Sequence, residues 1–269
     1  MAVPRAVVTH GHGDHARPGH RSALATPETL AIMRTRFEGM PDTSQQPLKY
    51  GESVRIGDVD VELAPAGHIL GSAQAVLAYK GQRIVVSGDF KRRPDPTCPP
   101  FEPIPCDVFI TEATFALPVF HHPFDMGEIG KLLRSVATFP ERTHLVGVYA
   151  LGKCQRVIKL LRAAGWDKRI WLHGSLMALC KLYQEQGVDL IAQGVGGVLI
   201  DSLFQACAGE SLPLGLRLQI RPLLGELSAR DDVAVDLRGD LFDYFDIVVR
   251  GNGNRDAASD EYYKPTKHS

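Results

Sequence analysis

The chain has 269 residues, a formal net charge of −1, 44% hydrophobic residues and 23% charged residues. That describes an ordinary soluble globular protein with room for one large domain or two smaller ones, and it advertises no global positive field for a polyanion, although a local basic groove needs none. Five cysteines (98, 106, 154, 180 and 207) are scattered without a C-x-x-C pair, which speaks against a disulfide framework or a thiolate zinc site and fits a reducing cytoplasm. The start, MAVPRAVVTH, is too short and polar for a signal peptide, and no apolar run approaches the roughly 20 residues of a membrane span. The expectation is a cytoplasmic protein with no membrane partner.

In chain order, Ala6-Val7-Val8-Thr9 reads as a short buried strand that delivers His10-x-His12-x-Asp14-His15. At a strand exit, residues two apart face the same way, so His10 and His12 can share one metal ion. Asp14 and His15 follow a glycine-permitted bend and can serve a second ion. Imidazole plus carboxylate without thiolate is the ligand set of catalytic Zn²⁺ or Mn²⁺, not of a structural Cys-type site. A lone histidine would read as an exposed or capping residue; three in this spacing after a β-like run favour the metal. Thr26-Pro27 is an N-cap followed by proline at the first helical position, which predicts a helix to about residue 37. Residues 39–49 are Pro/Ser/Gln-rich and predict a loop.

The alternation of Val54, Ile56, Val59, Val61 and Leu63 about Gly57-Asp58 predicts a hairpin. A glycine-punctuated loop carrying His68 follows, then a second hairpin over 75–79 and 83–86. Asp89, freed by Gly88 at the end of a buried strand, stands where ligands collect in layered α/β folds. A Pro-rich loop (93–105) leads to a strand at 108–110 that ends in Thr111-Glu112; alone, Glu112 reads equally as a capping or solvated carboxylate. From about residue 120, helices and strands alternate. Asp125 is expected to cap a helix carrying Ile129, Leu132, Leu133 and Val136, followed by a strand (144–149), a helix (154–164) closed by Gly165, a strand (169–172) and a helix (176–186) ended by Gly187. This predicts a small parallel-sheet module. Residues 194–200 are a candidate strand, 212–227 are apolar but broken by Pro and Gly, and 251–269 are polar and expected to be disordered.

The order H-x-H-x-D-H, then His68, then Asp89, resembles the metallo-β-lactamase superfamily. Thr111-Glu112-Ala113-Thr114-Phe115 is similar to the acidic motif after the core of nucleases with a β-CASP insert. Ala150-Leu151-Gly152-Lys153-Cys154-Gln155 resembles the G-[RK]-x-Q helix start of that insert. The group includes the mRNA 3′-end processing endonuclease, DNA-repair nucleases and bacterial ribonucleases J. The wording of residues 12–26 and 87–115 most resembles the bacterial DNA exonucleases encoded beside an ATP-dependent DNA ligase. The resemblance spans roughly residues 5–190.

That resemblance implies an α/β (α+β) αββα sandwich, incomplete at both ends, with a reduced β-CASP-like insert: a core over 1–119, the insert over 120–190 and a divergent segment over 191–269. It implies two divalent ions, Zn or Mn, one held by His10, His12 and His68 and the other by Asp14 and His15, with Asp89 bridging. Two ions about 3.5–4 Å apart activate a water against a phosphodiester. Asp14, Asp89 and Glu112 would be the catalytic carboxylates, with Glu112 orienting a ligand imidazole. Lys91, Arg92 and Lys153, the last at a helix N-terminus, would meet backbone phosphates. The implied partner is nucleic acid, DNA ahead of RNA, together with an ATP-dependent DNA ligase and a helicase; the implied activity is a DNA exonuclease in repair. His173 reads equally as a cleft or a capping residue, His121 and His122 as exposed loop residues, and His20 as a loop residue or an outer partner of a ligand.

Two further family histidines should follow the insert, one of them a ligand of the second metal. Here His268 is the only histidine after His173, and nine residues precede His10. The expectation is therefore a first metal with all its ligands and a second lacking one. Three readings compete: an RNA-processing nuclease, a small-substrate hydrolase of the same superfamily (disfavoured by residues 151–155), and a degenerate metal-binding domain without activity.

Overall fold

The computed structural model describes residues 3–37, 39, 44–190, 199–200 and 244–250. The segment 212–227 and the tail 251–269, with the expectations attached to them, lie outside the described residues. The short parallel sheet that carries the histidine motif has the order β1 (Ala6–Val7), β2 (Ala23–Ala25), β3 (Gln45–Pro47). Only two residues of the predicted 6–9 strand pair, and Val7 is half-exposed while Val8 is buried. Residues 45–47 were expected in a loop but form β3. This edge strand carries no apolar alternation because nothing pairs beyond it among the described residues, and its proline sits where a missing N–H is tolerated.

The second sheet has the order β4 (Ser53–Ile56), β5 (Val59–Pro65), β6 (Ala73–Tyr79), β7 (Gln82–Val86), β8 (Val108–Ile110). β4 to β7 form an antiparallel meander, which matches both predicted hairpins, and β8 joins parallel to β7. Leu24 and Leu48 from the first sheet's side pack with Val61, Leu63, Ala73 and Ala75 between the two sheets. The other face, with Ala64, Val76 and Val85, is covered by Ile104 and Cys106 of the Pro-rich loop. The strand before Asp89 is less buried than expected: Val85 alone of β7 is buried, because Val108, Phe109 and Ile110 of β8 are themselves exposed at the sheet's edge.

Helix α1 (Pro27–Arg36) starts as predicted, with the Thr26 hydroxyl accepting the Thr29 amide at 3.2 Å and Pro27 in the first turn. Its middle, Thr29 to Met33, is buried all round because it is covered on two sides, while Arg34 and Thr35 of the last turn are exposed. Leu30 and Met33 pack with Val8, Ala23 and Ala25 on the first sheet, whereas Ala31 and Ile32 join the core of the second module.

That module comprises α2 (Asp125–Thr138), β9 (Thr143–Tyr149), α3 (Lys153–Ala163), β10 (Ile170–His173), α4 (Gly174–Glu185), β11 (Leu199–Ile200) and β12 (Tyr244–Arg250). Val136, Val148, Ile158, Leu161, Leu172, Leu176 and Tyr183 build its core. The sheet order is β11-β10-β12-β9, with β11 parallel to β10 and β12 antiparallel to both neighbours. The predicted parallel module is therefore a mixed sheet. A strand from residues 244–250 fills the gap between β9 and β10, a pairing that no local pattern announces. Asp125 also differs from expectation. Phe124 is the N-cap and makes no side-chain capping bond, and Asp125, the first helical residue, pairs with Arg156 of α3.

The two modules meet at Gly152, the N-cap of α3, whose φ is +86°. A Cβ there would lie 2.3 Å from Cγ2 of Ile69, the neighbour of His68. Gly152→Ala combines left-handed strain with overpacking, and it is expected to lower stability by about 1–3 kcal/mol. Urea unfolding should show a reduced midpoint with an unchanged slope; a midpoint equal to that of the parent would refute this reading of the junction.

Candidate metal centre

Three loops converge at one rim of the sheets. The first leaves β1: the Val8 amide still bonds the Leu24 carbonyl, and the Ala73 amide at the start of β6 donates to the Thr9 carbonyl at 2.7 Å. His10 therefore enters fully buried, with Thr9 Oγ1 3.2 Å from its Nδ1, an outer partner that turns Nε2 toward the centre. The bend that delivers His15 comes from the His15 and Ala16 amides, both bonded to the His12 carbonyl. It needs no left-handed glycine, since Gly11 and Gly13 keep negative φ. The second loop carries His68, whose amide, like that of Ile69, donates to Ser72 Oγ. The third carries Asp89. Here Gly88, with φ +56°, lies so close to Thr9 that a Cβ would sit 2.7 Å from the threonine Cβ.

The six predicted ligands are brought together. His12 Nδ1 lies 3.1 Å from His10 Nε2 and 3.2 Å from His68 Nε2. Asp89 divides between two groups, its Oδ2 lying 3.7 Å from His10 Nε2 and 3.6 Å from His68 Nε2, its Oδ1 3.3 Å from His15 Nε2. Asp14 stands 3.5 Å from His15 at the exposed side. His10, His12, His68 and Asp89 have donor atoms mutually within 4.8 Å, as have His10, Asp14 and His15.

Electrostatics suit a cation. Burial, then the neighbouring imidazoles of His12, His68 and His15, drives the His10 pKa down to about 2. Burial, then His12 and Lys91, takes His68 down to about 3. Burial also lowers His12, against the pull of the Leu151 carbonyl, which lies 3.3 Å from its Nε2. These imidazoles are neutral at pH 7, and neutral nitrogen is the ligating form. With its Nε2–H directed at the Leu151 carbonyl, neutral His12 turns a bare Nδ1 toward the Nε2 atoms of His10 and His68, and one ion can satisfy all three nitrogens. Two nitrogens at a Zn–N distance of about 2.0–2.1 Å in a tetrahedral shell are about 3.3 Å apart, close to the observed spacing. Burial raises the Asp89 pKa, with His15 opposing; a nearby ion would supply the positive charge that keeps this carboxylate ionised.

The remaining predicted residues are placed less uniformly. Glu112 sits just past β8, half-buried, with its carboxylate accepting the Thr114 amide at 2.7 Å rather than an imidazole N–H. Lys91 is not open to solvent phosphates: its ammonium pairs with buried Asp95 and donates to the His68 carbonyl. Arg92 and Lys153 are exposed, and Lys153 lies 5.4 Å from the Tyr149 ring at the start of α3. His173 is a capping residue, its Nδ1 accepting the Ser175 amide at the start of α4. His20 bonds the Val3 amide in the first loop, His121 and His122 are exposed, and His268 lies outside the described residues. Sequence reasoning missed the Leu151 carbonyl and Asp95, neither of which has a local signature.

No protein-family model matches the chain. A protein described as a probable DNA ligase from Opitutus terrae is 29% identical over 192 residues, covering 68% of this chain and 18% of that protein. Ribonuclease TTHA0252 of Thermus thermophilus is 26% identical over 194 residues, covering 61% of this chain and 44% of the ribonuclease. An uncharacterised protein in the lig 3′ region of Acidianus ambivalens is 32% identical over 143 residues, 52% of this chain and 99% of that protein. The chain thus spans less than half the length of the first two relatives. With this ligand order, these sheets and these relatives, the chain belongs to the metallo-β-lactamase superfamily and, within it, to the β-CASP group.

The neutral imidazoles set a pH dependence. A folded-state pKa below the ordinary value near 6.5 means that the unfolded chain binds more protons, so stability is complete above about pH 6.5 and is lost as pH falls toward 3. For chelator-treated protein, the urea midpoint should fall steadily from pH 6.5 to 4. A flat profile over that window would show that His10 and His68 are not held neutral.

Proposed function

We propose that this protein is a metal-dependent phosphodiesterase of the β-CASP group, acting on DNA as an exonuclease with two bound Zn²⁺ or Mn²⁺ ions. The observation that carries the reading is the split carboxylate of Asp89, one oxygen toward His10 and His68 and the other toward His15. In this reading His10, His12 and His68 would hold one ion, Asp14 and His15 would hold the other, and Asp89 would serve both. When bound, such ions polarise a phosphodiester and acidify a water near neutral pH.

The protein's own groups position the chemistry. Thr9 fixes the His10 ring, and the Leu151 carbonyl meets His12, so the turn into α3 forms one wall of the site. Arg92, three residues after Asp89 on its loop, and Lys153, the first residue of α3, are exposed cations and supply candidate phosphate contacts. Glu112 has the weakest structural support among the proposed catalytic residues. DNA is preferred on the likeness to the DNA-ligase relative and to the protein of the lig 3′ region. The ribonuclease relative and the Dictyostelium cleavage and polyadenylation specificity factor subunit 3, 31% identical over 118 residues, favour RNA as the second reading. A DNA ligase and a helicase as partners, and a repair setting in the cytoplasm, extend the first reading.

The test uses 5′- and 3′-labelled single- and double-stranded DNA and RNA with Zn²⁺ or Mn²⁺. Stepwise release of nucleotides from DNA is expected, and Asp89→Ala should reduce it by at least about 100-fold, more than loss of an outer partner costs. Cleavage of RNA alone would replace the first reading with the second. Two bound ions with no cleavage of either polymer would sink the nuclease assignment.

A further inference from the structure

Asp95 has no part in the ligand set, yet its side chain is almost completely buried, where an isolated carboxylate is costly. It is satisfied from three directions. Its Oδ1 accepts the Thr97 amide at 3.0 Å and the Thr97 hydroxyl at 2.6 Å within its own loop. Its Oδ2 pairs with the Lys91 ammonium and lies 3.4 Å from Nε of Arg156.

Each of the two cations leads to a different wall of the metal centre. Lys91 is two residues beyond Asp89; its amide donates to the Ala66 carbonyl at 3.0 Å and its ammonium to the His68 carbonyl at 3.4 Å. The Asp89 and His68 loops are therefore stapled through Lys91. Arg156 belongs to α3, four residues after the junction glycine; its amide bonds the Gly152 carbonyl, and its guanidinium pairs with Asp125 of α2. The Leu151 carbonyl just before that turn faces His12. Asp125 also draws in Arg93 of the Asp89 loop at 3.9 Å.

We infer that Asp95 is a positioning residue: through Lys91 and Arg156 it sets the Asp89, His68 and Leu151 loops against one another, and so couples the β-CASP-like module to the metal geometry. The inference rests on the metal-centre reading above. Lys91 thereby has a structural destination in place of the phosphate contact expected from sequence. Removing the negative charge leaves Lys91 without its carboxylate and Arg156 with Asp125 alone, and the three loops lose their shared anchor.

The test measures Zn²⁺ affinity of the full chain by competition with a chromogenic chelator, alongside urea unfolding. Asp95→Asn keeps size and the Thr97 bonds and should weaken Zn²⁺ binding about 10–100-fold, the range for loss of an outer partner. Arg156→Gln, in the other module and in contact with no ligand side chain among the described residues, should weaken it in the same direction. The double variant should be no weaker than Asp95→Asn alone. Leu161→Ala, a core truncation on α3 outside the charged cluster, should lower stability and leave Zn²⁺ affinity unchanged. If Arg156→Gln binds Zn²⁺ like the parent, or Leu161→Ala loses affinity in proportion to stability, Asp95 is only structural and the inference fails. A parent that binds no Zn²⁺ removes the metal centre and this inference together, whereas a parent that binds Zn²⁺ without cleaving DNA removes only the nuclease assignment.

Discussion

The structure depends on holding the ring nitrogens of neutral imidazoles about 3 Å apart at a part-buried rim, with His10 fully enclosed. His10, His12 and His68 point ring nitrogens at a common centre, an arrangement that repels itself if the rings are protonated and leaves lone pairs unsatisfied if they are not. Backbone hydrogen bonds hold the three loops at this spacing: Ala73 to Thr9, Lys91 to Ala66, Val8 to Leu24. Two glycines, Gly88 and Gly152, let the side chains of Thr9 and Ile69 pack directly against backbone where the loops meet. Preorganisation of this kind shifts the cost of assembling ligands from binding to folding.

Helix α1 is the mechanical partner of that constraint. It is wedged between the parallel sheet and the second module, with Leu30 and Met33 on one side and Ala31 and Ile32 on the other. Both Thr26 and Thr29 hydroxyls donate to the Gly71 carbonyl in the loop that carries His68. One helix thus registers the ligand loops and the β-CASP-like module at once. The charged cluster of Lys91, Asp95, Arg156 and Asp125 makes the same connection from the opposite side. Buried ion pairs stabilise poorly because desolvation cancels most of their attraction, but here their geometry ties the loops of the candidate metal centre to the second module.

The second module also shapes what can reach the centre. The turn at Ala150–Gly152 abuts His12, and α3 begins there with an exposed lysine. The module that supplies no candidate ligand side chain among the described residues thus still forms a wall of the site. The apolar edge of β8, with Val108, Phe109 and Ile110 exposed, shows that the core sheet ends abruptly on one side among the described residues.

Much of the centre was legible in the residues themselves. The H-x-H-x-D-H spacing, His68 and Asp89 follow a chemical pattern that survives without a fold, and the two hairpins and the capped start of α1 follow local rules of alternation and capping. What local rules cannot carry is pairing between distant segments. β12 between β9 and β10, the edge strand β3 and the partial exposure of β7 depend on which neighbours exist, not on a strand's own pattern. Asp125 looked like a cap because its position suited one; its real partner, Arg156, lies on another helix. Lys91 looked like a phosphate contact for the same reason, and only the fold places buried Asp95 beside it. By itself the sequence determined the candidate ligand set, because residue type and spacing are short-range facts. Only the tertiary structure decided which carboxylate oxygen faces which histidine and what holds the loops together, because those are long-range contacts that loop closure must first bring into reach.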